Sequence, residues 1–197
     1  MASPAFAVSR SSLNGPSKST ILVTGAANGI GLETVKILHE LGNNIIALDR
    51  SPPSSSVPQS LTSSSRFLFQ QCDVTSWPSQ RDAFEAGAER FGGIDGVFVN
   101  AGIAEYGDQF FNDELDAQGK LKEPDRRTTD IDLRFAADTI KLAIYHMRRN
   151  PDKKGGSIVC TASLAGYLAS AGAPLYSGAK HGRSCSEVGV DAVGSLY

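Results

Sequence analysis

The sequence predicts an α/β fold in which helices pack on both sides of a doubly wound, parallel β-sheet. Short apolar runs rich in Ile and Val alternate with segments whose apolar residues fall at helical spacing. The first strand–helix–strand unit closes within about 30 residues, which suits a right-handed parallel crossover. A glycine-rich turn joins its first strand to its helix. Regular alternation of this kind is typical of parallel sheets with helices on both faces.

The predicted elements follow this alternation along the chain. Five strands are expected, at STILVTG (19–25), NIIALD (44–49), RFLFQQCD (66–73), IDGVFVN (94–100) and GGSIVCTAS (155–163). Three helices are expected between them, at about 30–41, 78–91 and 128–149. Residues 51–65 hold eight Ser and three Pro and predict a flexible surface loop without a packed helix. Residues 103–127 are polar and predict a loop or a short helix.

Composition excludes several classes of protein. The chain has 197 residues, a formal net charge of −2 and 41% hydrophobic residues, which suit one globular domain. No apolar run approaches the roughly 18–20 residues of a membrane span, and the balanced charge disfavours nucleic acid as a partner. Three widely spaced cysteines predict no disulfide framework and no metal site, and they favour a reducing, cytoplasmic location. Residues 1–18 lack the apolar core of a signal peptide and predict a disordered extension.

The glycine-rich turn is the first candidate binding site. It reads TGAANGIG and supplies Gly25, Asn28, Gly29, Ile30 and Gly31 between the first strand and the first helix. Glycines allow a close backbone approach, and a helix N-terminus offers free N–H groups to a pyrophosphate. The spacing G-x-x-x-G-x-G differs from the common dinucleotide pattern, and an ordinary tight turn is the alternative.

Asp49 ends the second predicted strand, 18 residues after Gly31. A carboxylate there can accept both ribose hydroxyls of an adenosine and would repel a 2′-phosphate, which favours NAD over NADP. Arg50 beside it could instead hold a 2′-phosphate, so NADP stays open. The simplest alternative is that Asp49 is a turn residue before Ser-Pro-Pro.

Ser163, Tyr176 and Lys180 form the candidate catalytic set. Tyr176 and Lys180 are four residues apart and share one face if the segment is helical. A lysine ammonium one turn away favours the phenolate, which makes the tyrosine a usable acid and base. Ser163 could orient a substrate oxygen. An amphipathic helix with an incidental Tyr and Lys is the alternative.

Taken together, these motifs resemble the short-chain dehydrogenase/reductase family over roughly residues 19–182. The resemblance rests on TGAANGIG, Asp49, Cys72-Asp73-Val74, Asn100-Ala101-Gly102, Ser163 and YSGAK (176–180), in matching order. It implies a Rossmann fold and hydride exchange between a nicotinamide and a carbonyl or alcohol carbon. It implies that Tyr176 transfers the proton, that Lys180 also binds the nicotinamide ribose and that Ser163 polarises the substrate. Asp73 and Val74 would then meet the adenine, and Asn100, Ala101 and Gly102 would line the cofactor cleft. The run SLAG…LYSGAKHG is also similar to 15-hydroxyprostaglandin-dehydrogenase-like members.

The sequence departs from the family pattern in two places. Alignment of IDLRF puts Asp132 where the family usually has a catalytic Asn. Residues 183–197 lack apolar periodicity, so the last strands of the family fold are expected to be absent and the fifth strand to be an exposed edge. A shifted reading frame, altered splicing or an error in the gene model would explain such a tail. The predicted organisation is an extension at 1–18, a Rossmann domain at 19–182 and an atypical tail at 183–197.

Two functions follow as alternatives. The first is an NAD(P)-dependent oxidoreductase that interconverts a small secondary alcohol and a ketone. The second is a truncated, catalytically weak nucleotide-binding or regulatory protein. A homo-oligomer is compatible with either, although elements that form the family interface are expected to be missing.

Overall fold

A six-stranded sheet forms the centre of the molecule in a computed structural model that describes residues 18–53, 57–108, 110–151, 155–184 and 188–190. The strands are β1 (Thr20–Thr24), β2 (Asn44–Asp49), β3 (Phe67–Gln71), β4 (Gly96–Val99), β5 (Gly156–Cys160) and β6 (Val188–Val190). The helices are α1 (Gly29–Glu40), α2 (Gln59–Thr62), α3 (Trp77–Phe91), α4 (Arg127–Thr129), α5 (Phe135–Met147) and α6 (Pro174–Ser184). These elements confirm the predicted α/β class.

The sheet order β3-β2-β1-β4-β5-β6 places the functional crevice. Strands β1 to β5 are parallel, and β1 pairs with β2 on one side and with β4 on the other. The chain therefore winds outward in opposite directions from β1. In open sheets of this kind, a crevice opens at the carboxyl ends of the strands where the direction reverses.

Side chains of the central strands alternate between two cores. Leu22, Ile46 and Leu48 face α3 and α5 in one apolar cluster, whereas Val23 and Ile45 face the other cluster with α1 and α2. These strands are buried on both faces, which explains why they are continuous apolar runs.

The loop predicted over residues 51–65 contains a short helix, so that prediction was wrong in part. Helix α2 forms one turn, and its Leu61 is buried, as is Val57 just before it. Both side chains belong to the apolar cluster that contains Val23 and Ile45, so this Ser-rich segment packs on the core through two apolar residues. Residues 54–56 lie outside the described part.

The long helix predicted over residues 128–149 is interrupted. Helix α4 leads into one π-helical turn, Asp130–Arg134, and α5 continues to Met147. A π-turn inserts an extra residue into the helix and rotates the side chains that precede it. Asp132 lies in this turn and is fully buried.

The fifth strand is partly covered, contrary to the expectation of an exposed edge. β6 pairs with it in antiparallel register, from Gly156 opposite Val190 to Ile158 opposite Val188. Part of the atypical tail therefore satisfies the backbone of β5. The predicted extension at 1–18 is described only at Lys18, and residues 191–197 lie outside the described part. Within the described ranges, no helix is long and apolar enough to cross a membrane.

Candidate active site

A cavity of about 420 Å³ opens at the carboxyl ends of β1 to β5. Most of the predicted site residues line it, namely Gly25, Asn28, Ile30, Asp49, Arg50, Asp73, Val74, Asn100, Ala101, Gly102, Asp132, Tyr176 and Lys180. Gly29, Gly31 and Ser163 lie outside its wall. The fold thus brings these residues from six separate segments of the sequence to one crevice.

The glycine turn shapes one end of the cavity through its backbone. Gly25 has a φ of +67° and Gly29 a φ of +51°, backbone angles that residues with a side chain rarely adopt. A Cβ on Gly31 would lie only 2.0 Å from the Gly25 carbonyl oxygen. Gly31 therefore permits the first turn of α1 to pack against the β1–α1 turn, and it leaves the N-terminus of α1 open to the crevice.

Thr24, Asn100 and Thr161 tie the ends of three strands together. Thr24 Oγ1 accepts hydrogen bonds from the backbone N–H groups of Asn100 and Ala101, each at 3.0 Å. Asn100 Nδ2 donates back to the carbonyls of Thr24 and Gly25, at 3.2 and 3.3 Å. Thr161 Oγ1 donates to Asn100 Oδ1 at 2.9 Å. The floor of the crevice is fixed by this network before any ligand binds.

Asp49 is held at the end of β2. Its Oδ2 accepts from the Ala27 N–H at 2.9 Å and its Oδ1 from the Ser51 N–H at 3.1 Å. Each carboxylate oxygen can accept further bonds, so the group is oriented toward the cavity without being saturated. Arg50 is exposed beside it.

Asp73 and Val74 follow β3 on the same side of the cavity. Asp73 Oδ1 accepts from the Thr75 backbone N–H at 2.9 Å, which closes a local turn. Gln80 is fully buried, donates to the Val74 carbonyl at 2.6 Å and accepts from Thr139 Oγ1 at 2.6 Å. Val74 is thereby anchored to α3 and α5.

Tyr176 and Lys180 project from α6, as the spacing predicts. Lys180 Nζ lies 5.3 Å from the centre of the Tyr176 ring and donates to the Thr161 carbonyl at 3.2 Å. Only 4% of the Lys180 side chain is exposed. The ammonium is therefore fixed near the tyrosine ring.

Asp132 is the direct partner of Lys180. The two groups form an ion pair of 3.0 Å between Lys180 Nζ and Asp132 Oδ2, and the Asp132 side chain has no exposed surface. Asp132 Oδ1 accepts from the Ile103 N–H at 2.8 Å and so holds the segment after β4. The π-turn presents this carboxylate to both partners.

Ser163 lies at the rim rather than in the wall. It follows β5 and caps a short 3-10 helix, Leu164–Gly166, where its Oγ accepts from the Ala165 N–H at 3.2 Å. Its hydroxyl hydrogen stays available to a substrate oxygen.

Two charged residues of the site were not singled out from the sequence. Glu105 Oε2 accepts from the Tyr176 N–H at 2.9 Å in the first turn of α6, where a carboxylate is favoured. Arg183 is 1% exposed and donates to the carbonyls of Val99 and Ala101, the latter at 3.1 Å. Burial lowers the pKa of Arg183, whereas the neighbouring Cys160 and Asp132 oppose that shift. Neither residue belongs to a local motif, so no sequence signal marked them.

The fold and this crevice define a Rossmann-type α/β protein. The chain belongs to the short-chain dehydrogenase/reductase family, because the family model described as short chain dehydrogenase matches residues 19–185. Alignment with the short-chain dehydrogenase/reductase ATR7 of Stachybotrys chlorohalonatus gives 37% identity over 82% of this chain and 46% of the relative. Cis-4-hydroxycyclohexanecarboxylate dehydrogenase of Sinomonas cyclohexanicum is 34% identical over 82% of this chain and 61% of the relative. The chain spans about half the length of the first of these.

Solved structures confirm the fold. Levodione reductase superposes with a TM-score of 0.67 at 27% identity, over 83% of this chain and 61% of that one. A Burkholderia phymatum short-chain dehydrogenase/reductase in complex with NAD superposes with a TM-score of 0.70 at 19% identity, over 85% and 57% of the two chains. The second likeness concerns the fold alone.

Proposed function

We propose that the protein is an NAD-dependent oxidoreductase that interconverts a secondary alcohol and a ketone, with Tyr176 as the acid and base. One observation carries the proposal. Tyr176 and its fixed Lys180 ammonium line the same cavity as the glycine turn and Asp49. A group that can transfer a proton and a cleft suited to a dinucleotide are therefore one site.

The residues of the crevice fit a dinucleotide. The close packing of Gly31 leaves the N-terminus of α1 unobstructed, which suits a pyrophosphate near Asn28 and Ile30. Asp49 is oriented to accept ribose hydroxyls, and the cavity continues past Ala101 to Lys180. When bound there, a nicotinamide would supply the hydride acceptor or donor.

The chain's own residues handle the proton and the substrate oxygen. In oxidation, the Tyr176 phenolate oxygen takes the hydroxyl proton of the alcohol, and in reduction the phenol returns a proton to the carbonyl oxygen. Lys180 stabilises the phenolate by its charge, and the Thr161 carbonyl and Asp132 keep that ammonium in place. The Ser163 hydroxyl donates a hydrogen bond to the substrate oxygen and orients it.

A cofactor titration tests the nucleotide half of this proposal. Nicotinamide fluorescence is followed while purified protein binds NADH or NADPH. We expect NADH to bind at least about tenfold more tightly, because the Asp49 carboxylate repels a 2′-phosphate. Asp49→Ser should remove most of that preference. Tighter binding of NADPH to the unchanged protein would contradict the assignment of Asp49, and binding of neither would contradict the nucleotide site.

The substrate class is tested by turnover. One relative is named for cis-4-hydroxycyclohexanecarboxylate, a cyclic secondary alcohol, so this compound and simple cyclic and acyclic secondary alcohols are suitable first substrates with NAD. NADH formation with at least one of them supports the proposal. Absence of turnover across the panel, with NADH binding intact, contradicts it.

The second candidate function is a nucleotide-binding protein with little or no catalysis. It is favoured by the carboxylate of Asp132 paired to Lys180, since an anion there weakens the positive field on Tyr176. It predicts tight NADH binding without turnover. Robust turnover by this chain alone would exclude it.

A further inference from the structure

Arg183 is a guanidinium enclosed by the protein interior. It is 1% exposed and is the largest of the fully buried side chains in the described residues. Its hydrogen bonds go to the neutral carbonyls of Val99 and Ala101 at the carboxyl end of β4. The two carbonyls accept from its terminal nitrogens Nη1 and Nη2, whereas its Nε is buried without a hydrogen-bond partner among the described residues. Neutral carbonyls do not balance the charge of the guanidinium, and a buried cation without a nearby anion is strongly destabilising.

The carboxylate that can compensate the charge of Arg183 is that of Asp132, which already pairs with Lys180. Tyr176, Lys180 and Arg183 occupy positions i, i+4 and i+7 of α6 and so share one face of that helix. Asp132 has no exposed surface and accepts from the Ile103 N–H, two residues after the Ala101 carbonyl to which Arg183 donates, so both groups are held on the same segment after β4. Burial lowers the pKa of Arg183, whereas Cys160 and Asp132 oppose that shift. Two cations and one anion are thus enclosed next to Tyr176.

We propose that Arg183 is a positioning residue that offsets the charge of Asp132, so that the buried Lys180–Asp132–Arg183 group keeps a net positive charge beside Tyr176. This group of two cations and one anion has a net charge of +1, the same as Lys180 would have beside a neutral residue in place of Asp132 and without Arg183. A carboxylate in this place is therefore compatible with an active tyrosine only because the second cation accompanies it. The inference rests on the proposed role of Tyr176 as acid and base.

Other charged or titratable groups border this region and stay unchanged in the test. Glu105 lies at the N-terminus of α6, His181 Nδ1 donates to the Ser177 carbonyl, and the Cys160 thiol lies beside Arg183. Because all variants retain them, differences between variants report on Asp132 and Arg183.

The test is a pH titration of Tyr176 by NMR, without substrate or cofactor. Protein labelled with ¹³Cζ-tyrosine carries five labelled rings, and the signal that is lost in Tyr176→Phe is assigned to Tyr176. The pH midpoint of its ionisation is measured in the unchanged protein, Asp132→Asn, Arg183→Met and the double variant. Because Tyr176 and Lys180 interact, the midpoint belongs to the pair and is compared only between variants.

The expected pattern follows from the signs of the charges. Tyr176 and Arg183 are seven residues apart on α6, which is about 10 Å along the helix axis. Arg183→Met should therefore raise the midpoint by on the order of one pH unit at an effective dielectric constant of about 20, and Asp132→Asn should lower it. The double variant restores the original net charge, so its midpoint should return to within about 0.3 pH units of the unchanged protein. Arg183→Lys keeps the charge without the planar fork and should also stay within about 0.3 units.

An unchanged midpoint in Arg183→Met, or a double variant with the midpoint of Asp132→Asn, would overturn the proposal. If Arg183→Met does not fold, Asp132→Asn and the double variant give the same comparison. The double variant loses one buried charge of each sign and is expected to fold, so its failure to fold would also count against the proposal. Because the titration needs no turnover, an inactive protein with the expected shifts would refute the proposed function but confirm the charge balance between Asp132 and Arg183, so the two failures are distinguishable.

Discussion

The two halves of the crevice are built by different means. At the ends of β1 and β2, the site is made of backbone geometry: positive φ at Gly25, close packing at Gly31, and a carboxylate held by backbone N–H groups. At the ends of β4 and β5, it is made of enclosed charges, with Lys180 paired to Asp132 over 3.0 Å. The nucleotide half is sensitive to added atoms at Gly31, whereas the acid–base half is sensitive to the removal of one of its enclosed charges.

This difference determines how each half can fail. A backbone-shaped site fails through steric overlap, which is local and nearly independent of pH. A site of buried ion pairs fails when one partner is removed, because the remaining charge stays enclosed without compensation. The two halves can therefore be broken separately, and the following predictions do so in order of decreasing effect.

The largest loss of stability is expected for Lys180→Met. It leaves the fully buried Asp132 without its ion-pair partner, and such changes cost about 3–5 kcal/mol. Urea unfolding gives the free energy of unfolding. The matched control is Lys141→Met, the same substitution at an exposed lysine of α5, which should change stability by less than about 0.5 kcal/mol. A single variant that loses less than about 1 kcal/mol would show that the pair is not enclosed as described.

A smaller loss is expected for Gly31→Ala in the nucleotide half. Its Cβ would lie 2.0 Å from the Gly25 carbonyl oxygen, so the turn must shift, at a cost of about 1–3 kcal/mol and with weaker NADH binding. Gly172→Ala is the control, because nothing lies within 4 Å of a Cβ there, and it should change stability by less than about 0.5 kcal/mol. Equal effects of the two substitutions would contradict the close packing at Gly31.

The two halves of the crevice also differ in how much of each could be predicted from the sequence. The glycine turn and Asp49 lie within one contiguous strand–turn–helix–strand unit, so their spacing alone predicted their convergence. Tyr176 and Lys180 were predicted from one helical turn. Asp132 was identified only by resemblance, because a π-turn and contacts with segments about 30 and 50 residues away give it its role.

Arg183 and Glu105 could not be predicted for a related reason. A cation on a helix is nearly always solvated, and nothing local shows that Arg183 points at the carbonyls of β4. Leu61 shows the same limit in the scaffold: two apolar residues in a Ser-rich segment give no periodic pattern, yet they pack on the core. Local patterns predict elements and backbone sites, whereas contacts between distant segments become visible only in the folded chain.

The smallest effect is expected in the scaffold between the two halves. His146 on α5 stacks on Phe84 with ring centres 5.5 Å apart, and burial lowers its pKa below the usual 6.5. Well above pH 6.5, the imidazole is neutral in both the folded and the unfolded protein. As the pH falls below 6.5, the unfolded protein takes up the proton first, and the folded state therefore loses stability.

His146→Gln should therefore reduce the slope of unfolding free energy against pH below 6.5, by less than about 1.4 kcal/mol per pH unit, and leave the slope above pH 7 unchanged. Urea unfolding at a series of pH values measures both slopes. A slope below pH 6.5 that is the same in both proteins would show that His146 does not contribute to acid sensitivity.

The most direct test of the account is to separate the two halves with Tyr176→Phe, measuring NADH affinity and turnover on the same preparation. The substitution removes only the phenol oxygen, and its backbone bond to Glu105 is retained. The account predicts NADH affinity within about twofold of the unchanged protein and turnover lower by about 10²–10⁴-fold, the usual contribution of a positioned acid or base. Turnover close to that of the unchanged protein would contradict it.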